Sequence, residues 1–101
     1  MKGIDEMAKK TVNLNKTGLE KLPNNKPVLY KILTPNKNVN YAGVAKKGRV
    51  QERIEEHLPG EKGYVPGAKV QIEQFSSIAD AKKKETGVIK RTKPKYNKRG
   101  K

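Results

Sequence analysis

Two short apolar segments with a turn between them constrain the fold of this chain more than any other part of its sequence. Residues 28–33 and 39–44 are rich in β-branched and aromatic side chains, and residues 34–38 between them are typical of turns. Runs of this kind on both sides of a short turn predict two antiparallel strands joined as a hairpin.

Two tyrosines lie on the predicted hairpin, Tyr30 on the first strand and Tyr41 on the second. A turn closed by Thr34 and Lys37 would place them directly opposite each other. A turn over residues 35–38 would instead offset the pair by two residues. Because side chains alternate between the faces of a strand, the two rings share one face in either register.

The remaining pattern predicts helices and one more strand. Residues 17–20 match a capping box that opens a short helical turn, and apolar residues repeat every four positions over 49–58, as in an amphipathic helix. Residues 69–75 read as a third strand, and a second capping box at Ser77 opens a helix to about Arg91. The predicted fold class is α+β, with a three-stranded antiparallel sheet flanked by helices.

The length of 101 residues suffices for one small domain. We expect a flexible segment over residues 1–16, the domain over residues 17–97 and a basic tail over residues 98–101. No apolar segment approaches the roughly 20 residues that span a bilayer. Residues 1–15 also lack the apolar block of a signal peptide. We therefore expect a cytoplasmic protein that does not enter a membrane.

The sequence has no cysteine and one histidine. Disulfide scaffolds, zinc fingers, iron–sulfur clusters and thiol nucleophiles are therefore excluded. A conventional zinc site is improbable for the same reason, so any bound metal would be a hard cation held by oxygen atoms.

Basic residues outnumber acidic ones by 24 to 10, which gives a formal net charge of +14 at pH 7. Such a charge predicts polyanionic partners, with nucleic acid first among them. After the hairpin, either Lys46 or Lys47 could contact phosphate, and the sequence does not choose between them. The candidate contacts near the C-terminus are Arg91, Lys93, Lys95, Lys98 and Arg99.

An acidic residue interrupts the apolar stripe of the last predicted helix. Ile78, Ala81, Val88 and Ile89 fall on one side of that helix, and Glu85 shares the same side. A carboxylate that is removed from water must be paired, protonated or bound to a metal ion. The pattern alone favours a pair with a nearby lysine, and a metal site is the alternative.

The order of several polar residues is more specific than any one of them. Tyr30 ends the triplet Val-Leu-Tyr, Tyr41 begins Tyr-Ala-Gly, and Arg53 and His57 lie four residues apart on the predicted helix, projecting together from one face. Glu85 and Asn97 follow. With the Lys-Pro-Lys-Tyr-Asn segment at 93–97, this order over residues 22–97 resembles the GIY-YIG nuclease family.

Two departures from the family pattern lie in its two defining triplets. Val28 stands where the first triplet usually has glycine, which changes strand geometry. Ala42 stands where the second triplet usually has a branched residue, which affects packing rather than chemistry.

The resemblance implies a role in phosphodiester hydrolysis for each residue that matches. Tyr30 would be the general base, and Arg53, a divalent cation and the many lysines would favour its phenolate. Arg53 would hold the scissile phosphate and its developing charge. Tyr41 and His57 would orient water and phosphate through hydrogen bonds, and His57 could assist proton movement.

The resemblance also implies a metal site. Glu85 would bind one Mg²⁺ or Mn²⁺, with water and phosphate oxygens completing the coordination shell. Asn97 would either bind the phosphate or brace the site. The implied partner is DNA, with no small-molecule cofactor and no membrane. Because the chain is barely larger than the catalytic core, its specificity would be weak or supplied by a protein partner.

The leading hypothesis is therefore a metal-dependent DNA endonuclease of the GIY-YIG type. A non-catalytic nucleic-acid-binding module, either similar to a ribosomal protein or an inactivated nuclease, is the alternative. Because such a module has no reason to carry both tyrosines, Arg53, Glu85 and Asn97 in this order, the sequence favours an active enzyme.

Overall fold

A four-stranded antiparallel sheet organises the computed structural model, which describes residues 9–97. The strands are β1 (Lys9–Asn13), β2 (Val28–Leu33), β3 (Val39–Ala45) and β4 (Lys69–Gln74), and they lie in the order β1-β4-β2-β3. The helices are α1 (Lys16–Leu19), α2 (Val50–Glu55) and α3 (Ile78–Thr92), followed by a 3-10 turn at Lys95–Asn97. The α+β class predicted from the sequence is confirmed.

The sheet has four strands rather than the three that the sequence predicted. The additional strand, β1, comes from the segment expected to be flexible, and it pairs with β4 so that Val12 lies opposite Val70. Val12 is the only buried residue of β1, so the strand carries almost no apolar pattern. Residues 1–8 and 98–101, which include Lys98, Arg99 and the predicted tail, lie outside the described residues.

The hairpin of β2 and β3 adopts the offset register. Tyr30 lies opposite Gly43 and Ile32 lies opposite Tyr41, with an irregularity in the pairing between Ile32 and Leu33. The two tyrosines are therefore two residues out of direct opposition. Their rings still share one face of the sheet, as the alternation of side chains predicts.

The helices begin and end where capping groups are available. Asn15, rather than the predicted Thr17, caps α1 by accepting a hydrogen bond from the amide of Gly18. Helix α2 ends at Glu55, three residues before the predicted end. Ser77 caps α3 as the sequence predicts, by accepting from the amide of Asp80. Within residues 9–97, none of these helices has the length and apolar character needed to cross a bilayer.

The sheet separates two apolar clusters, and we name its faces after them. The front face carries Tyr30, Ile32 and Ile72, which pack with Val50 and Ile54 of α2. The rear face carries Leu29 and Ala42, which pack with residues of α3. Helix α3 lies over β2 and β3 and reaches buried Glu73 of β4 through Lys84, whereas Lys69 of β4 and the rear residues of β1 are exposed.

Candidate active site

Three rings that the sequence places far apart meet on the front face. The ring centroids of Tyr30 and Tyr41 are 6.0 Å apart, and that of His57 lies 5.6 Å from Tyr30 and 4.6 Å from Tyr41. Tyr30 is 1% exposed, Tyr41 is half-buried and His57 is buried. The front face thus brings together three of the six catalytic residues that the resemblance implies.

Gly43 makes room for this cluster. It lies opposite Tyr30 in the hairpin. A Cβ atom at this position would lie 2.7 Å from both Cζ and Oη of Tyr30, and 3.0 Å from Cε2 of Tyr41. Any side chain at position 43 would therefore displace the Tyr30 ring. The glycine of the Tyr-Ala-Gly triplet is required by the close approach of the Tyr30 hydroxyl to β3.

Gly43→Ala is therefore expected to destabilise the protein by about 1–3 kcal/mol, because the added methyl group overpacks the cluster. The variant should also lose the close contact of the three rings. Thermal unfolding measures the first effect, and near-ultraviolet circular dichroism of the tyrosines measures the second. Gly48→Ala is not a suitable control because Gly48 has a positive φ of 82°. Gly87→Ala is the control, because it adds the same methyl group where a Cβ atom would meet only Nη1 of Arg91 at 3.5 Å, and it should not lower stability. Unchanged unfolding and spectra for Gly43→Ala would contradict the packing described here.

His57 connects Tyr30 to a backbone carbonyl through two hydrogen bonds. Its Nδ1 lies 2.8 Å from the carbonyl oxygen of Gly63, and its Nε2 lies 2.8 Å from the hydroxyl oxygen of Tyr30. Because a carbonyl oxygen can only accept, Nδ1 carries the proton. In the neutral ring Nε2 is then an acceptor, so the Tyr30 hydroxyl donates to it. The ring is fixed in the tautomer that can receive a proton from Tyr30.

The loop after α2, rather than α2 itself, positions His57. The amide of His57 donates to the carbonyl of Ile54, and the carbonyl of His57 accepts from the amide of Val65. His57 therefore lies in the turn beyond the end of α2, and the expectation that it projects from one helical face with Arg53 is wrong. The loop that returns through Gly63 places the imidazole against the sheet.

The pKa of Tyr30 is raised, whereas the resemblance implied surroundings that favour its phenolate. Burial raises the pKa of Tyr30, and the neighbouring Tyr41 raises it further, while the guanidinium of Arg53 lowers it. The effect of Arg53 has the expected direction, but burial outweighs it. In the protein alone Tyr30 is therefore a neutral phenol at pH 7, and it can act as a base only if its own proton moves to His57.

His57 should make folding stability dependent on pH. Burial lowers its pKa, against the opposing effects of the Gly63 carbonyl and Glu56. Because the pKa is lower in the folded state than in the unfolded state, the unfolded chain binds the proton first as the pH falls. The stability is therefore present above the unfolded pKa of about 6.5 and is lost as the pH falls below it.

Thermal unfolding of the wild type and of His57→Gln at pH values of about 7.5 and 5.5 tests this expectation. The wild type should lose more stability at the lower pH than the variant, since His57 is the single histidine of the sequence. Glutamine can keep a hydrogen bond at each end without titrating. Equal losses in the two proteins would show that His57 is not held neutral by the fold.

Arg53 lines a cleft of about 300 Å³, and its charge also acts on Tyr30 and His57, although none of the three rings lines the cleft. The cleft lies where the end of β3 meets the first parts of α2 and α3, and four cations line it: Lys46, Arg49, Arg53 and Lys82. Of the two lysines between which the sequence did not choose, Lys46 is the one that lines the cleft. Lys47 is exposed in the same turn.

Two of these cations are partly neutralised by carboxylates. Arg49 pairs with Glu52 at 3.1 Å and Arg53 pairs with Glu56 at 3.5 Å, and all four side chains are more than half exposed. Exposed pairs of this kind are weak, so both guanidinium groups can exchange their partner for an anion. The cleft therefore has the charge and the accessibility that a phosphate group needs.

Sequence reasoning missed two residues of this cleft, Arg49 and Lys82. Each was detectable by helical spacing, since Arg49 precedes Arg53 by four residues and Lys82 precedes Glu85 by three. Neither residue was given a role from the sequence. Their convergence depends on how α2 and α3 pack at the end of β3, which no local pattern contains.

Glu85 lies on α3, on the other side of the edge strand β3 from the three rings. On the same side of the helix, Ile78 and Lys82 line the cation cleft, and Ile89 lines a second depression near the 3-10 turn. Glu85 is three residues after Lys82 and four before Ile89, so it lies between them on this side of the helix. It is half-buried, and within residues 9–97 its carboxylate forms no ion pair shorter than 4.0 Å. The lysine pair that its pattern favoured is therefore not formed in this part of the chain.

Two opposing effects act on the carboxyl group of Glu85. Burial raises the pKa of its carboxyl group, and the positive charge of Lys82 opposes this effect. Across residues 9–97, no three His, Cys, Asp or Glu side chains converge on one point. A single carboxylate is nevertheless compatible with Mg²⁺, which usually keeps several water ligands and takes others from substrate phosphate. Glu85 therefore fits a metal ion that is held jointly by the protein and its substrate.

Asn97 braces the edge strand. Its Oδ1 accepts from the amide of Ala42 at 2.7 Å, and its Nδ2 donates to the carbonyl of Ala42 at 2.9 Å. Both polar groups of the side chain are thus engaged with the residue next to Tyr41. Of the two roles that the resemblance left open, this geometry favours bracing over phosphate binding.

The basic residues near the C-terminus do not form one surface. Lys93 and Lys95 line the depression beside Asn97, together with Pro94. Arg91 belongs to the other side of α3, where its charge acts on Lys31 of β2. The two groups therefore face different parts of the molecule.

Comparison with known proteins returns no relative. No protein-family model matches the chain, and no curated protein matches it either. The resemblance to the GIY-YIG nucleases therefore rests on the order of residues in the sequence alone.

Proposed function

We propose that this protein is a metal-dependent DNA endonuclease that hydrolyses phosphodiester bonds at the front of the sheet. The observation that carries the proposal is the chain of hydrogen bonds from Tyr30 through His57 to the Gly63 carbonyl, together with Arg53, whose charge acts on both rings and which lines a cleft with three other cations. A proton acceptor beside an anion site is the minimum that phosphodiester hydrolysis requires.

The proton path follows from the tautomer of His57. Tyr30 accepts a proton from the attacking water at its hydroxyl oxygen while its own proton passes to Nε2 of His57 over 2.8 Å. The water becomes hydroxide and attacks phosphorus, and His57 becomes an imidazolium whose Nδ1–H still donates to Gly63. This transfer avoids a separate phenolate state of Tyr30, which burial opposes. Burial also lowers the pKa of His57, so the imidazolium is a transient acceptor of the proton. Tyr41 orients the water or the phosphate beside the pair.

Arg53 binds the scissile phosphate, and its planar guanidinium suits two phosphate oxygens at once. Lys46, Arg49 and Lys82 add positive charge around the same cleft and hold the neighbouring phosphates. These groups stabilise the negative charge that grows on the phosphate in the transition state. Glu85 would hold one Mg²⁺ or Mn²⁺, which when bound would neutralise the leaving oxygen.

DNA is the proposed substrate because the cleft is open and cationic and the whole chain carries +14. Contacts of this type recognise phosphates and not bases, so sequence preference is weak or comes from a protein partner. The absence of cysteine from the sequence is in keeping with a cytoplasmic enzyme.

Incubation of supercoiled plasmid with the purified protein tests the proposal. Mg²⁺ or Mn²⁺ should produce nicked and linear DNA, and EDTA should prevent this. Contaminating nuclease is controlled by Arg53→Gln purified in parallel, since Arg53 is exposed on α2 and its loss should leave the fold intact. The assignment would be overturned if the wild type cleaved with neither metal, or if Arg53→Gln cleaved as fast as the wild type.

One observation favours the alternative, a binding module without catalysis. Tyr30 is 1% exposed and its hydroxyl already has a partner, as in a packing residue of an apolar core. In that case DNA would bind in the cleft and would not be cleaved. Arg53→Gln would then weaken DNA binding and have no other effect. The plasmid assay with a parallel binding titration separates the two functions.

A further inference from the structure

The uncovered half of the rear face forms a groove whose charge the proposed cleavage does not use. Helix α3 covers the rear of β2 and β3 and reaches the buried Glu73 of β4 through Lys84, but within residues 9–97 it leaves Lys69 of β4 and the rear residues of β1 exposed. The open strands form the floor of this rear groove, and the side of α3 that faces them forms its wall. Its charged residues are Lys9, Lys31, Lys69, Glu73, Asp80, Lys84 and Arg91.

The floor of the rear groove is fixed by contacts between strands. Nζ of Lys69 donates to Oδ1 of Asn13 at 2.9 Å, and Nε2 of Gln71 lies 3.3 Å from Oγ1 of Thr11. These pairs hold polar side chains at set positions on the open strands. The groove is therefore already shaped in the free protein, and a ligand would not have to order it.

The rear groove has too few carboxylates for its cations. Five of its charged residues are basic and two are acidic: Glu73, which lies 3.9 Å from Lys84, and Asp80, which precedes Lys84 by one turn of α3. Lys31 is half-buried in this setting. Burial lowers its pKa and Glu73 opposes this effect, while the charges of Lys9, Lys84 and Arg91 lower it further. An anion bound in the groove would relieve this repulsion.

Gly87 leaves the backbone of α3 accessible beside the rear groove. It lies between Lys84 and Arg91 on the side of α3 that borders the groove. A Cβ atom there would meet only Nη1 of Arg91, at the ordinary contact distance of 3.5 Å. Packing of the described residues therefore does not require glycine, although glycine weakens a helix interior. A molecule that approaches the helix backbone closely at this point would require it.

The side chains of the rear groove indicate which kind of ligand it binds. Protein interfaces depend on buried aromatic and aliphatic anchors, and the open strands offer polar side chains on their rear face instead. Single-stranded nucleic acid is held by stacking on exposed rings, and in residues 9–97 the large exposed hydrophobic residue is Tyr64, which lies in the loop behind α2. A duplex backbone needs neither kind of anchor.

The dimensions agree with a duplex backbone. Lys69 and Glu73 are four residues apart on β4, which corresponds to about 13 Å along a strand. One strand of DNA carries a phosphate for each 3.4 Å or so of helix axis, so about four phosphates span the groove. We propose that the rear groove binds the phosphate backbone of a second DNA duplex, an inference that rests on the proposed function, in which the front cleft holds the first. One protein molecule would then hold two duplex segments on opposite faces of its sheet.

A ternary complex is the direct test. The full chain is mixed with two short duplexes that carry different fluorophores, in EDTA so that no cleavage occurs, and sedimentation velocity measures the species formed. We expect one chain with one duplex of each colour. A complex of two chains with two duplexes, or one chain with a single duplex at every ratio, would overturn the proposal.

Matched variants identify the surface. Lys84→Gln with Arg91→Gln should lower the affinity for the second duplex about tenfold and reduce the slope of log K against log salt by about 2, since two phosphate contacts are lost. The control, Lys26→Gln with Lys62→Gln, removes the same charge from exposed positions outside both surfaces. Equal effects of the two pairs would show that net charge alone holds the second duplex.

Gly87→Ala separates ligand approach from helix packing. Alanine favours the helix, so the thermal midpoint should rise, whereas affinity for the second duplex should fall. Unchanged affinity would contradict the close approach to α3.

Polyglutamate serves as the competitor. If it displaces the second duplex as well as an equal charge of unlabelled duplex does, the groove is a site for acidic polypeptide and the proposal fails. Because the assay excludes metal, its outcome is independent of whether the front cleft cuts DNA.

Discussion

Glu85→Gln is expected to abolish plasmid cleavage at Mg²⁺ concentrations that support the wild type. The amide keeps the shape of the side chain but removes the negative charge that attracts a divalent cation. Binding of DNA should persist or become tighter, since one negative charge near the phosphates is lost. Plasmid nicking and a DNA titration, made on the same protein preparations, measure the two effects.

The stability of Glu85→Gln distinguishes a metal ligand from a structural acid. Burial raises the pKa of Glu85, so its charged form opposes folding at pH values above that pKa. The neutral amide should therefore leave stability unchanged or raise it. If Glu85 instead stabilised the fold by pairing with a lysine, the substitution would cost up to about 1 kcal/mol and leave cleavage intact.

Glu20→Gln is the matched control for this variant, because Glu20 is exposed and lies next to α1, far along the chain from α3. It removes the same charge and should preserve both cleavage and binding. Retained cleavage by Glu85→Gln would exclude Glu85 as the metal ligand. Loss of cleavage by both variants would show that overall charge, and not a site at Glu85, controls activity.

Tyr30→Phe should reduce cleavage by about 10²-fold or more, because the water loses its proton acceptor. The structure also predicts a cost to folding. The Tyr30 hydroxyl is the donor to buried Nε2 of His57, and an acceptor left without its partner costs about 1–3 kcal/mol. Cleavage is therefore compared at a temperature at which circular dichroism shows both proteins to be folded.

Tyr64→Phe provides the comparison, since Tyr64 is 47% exposed and the same hydroxyl is removed outside the cluster. It should change neither stability nor cleavage. A Tyr30→Phe protein that is folded and cuts at the wild-type rate would remove Tyr30 from the mechanism. Full loss of cleavage together with unchanged DNA affinity would place Tyr30 in the chemical step.

Local patterns were sufficient for the central part of the fold. The hairpin and its shared tyrosine face follow from alternation, and α3 follows from the Ser77 cap and a four-residue apolar repeat. β1 could not be predicted in the same way, because one buried valine in five residues carries no period. It forms because β4 offers it a complete edge to pair with.

The candidate site depends on tertiary contacts that the sequence does not express. The order of residues indicated which side chains to examine, but the path of the loop after α2 decides that His57 meets Tyr30. The pKa of Tyr30 also depends on burial, which composition cannot give. The cation cleft forms where two helices separated by β4 in the sequence approach each other.

The position of Asn97 has a consequence for association between molecules. β3 is an edge of the sheet, and the free amides and carbonyls of an edge strand are a template for pairing with another chain. At Ala42 the side-chain amide of Asn97 occupies both backbone groups, as an added strand would. A second copy cannot extend the sheet there without displacing it. A residue that resemblance assigned to the active site therefore also protects the protein from edge-to-edge aggregation.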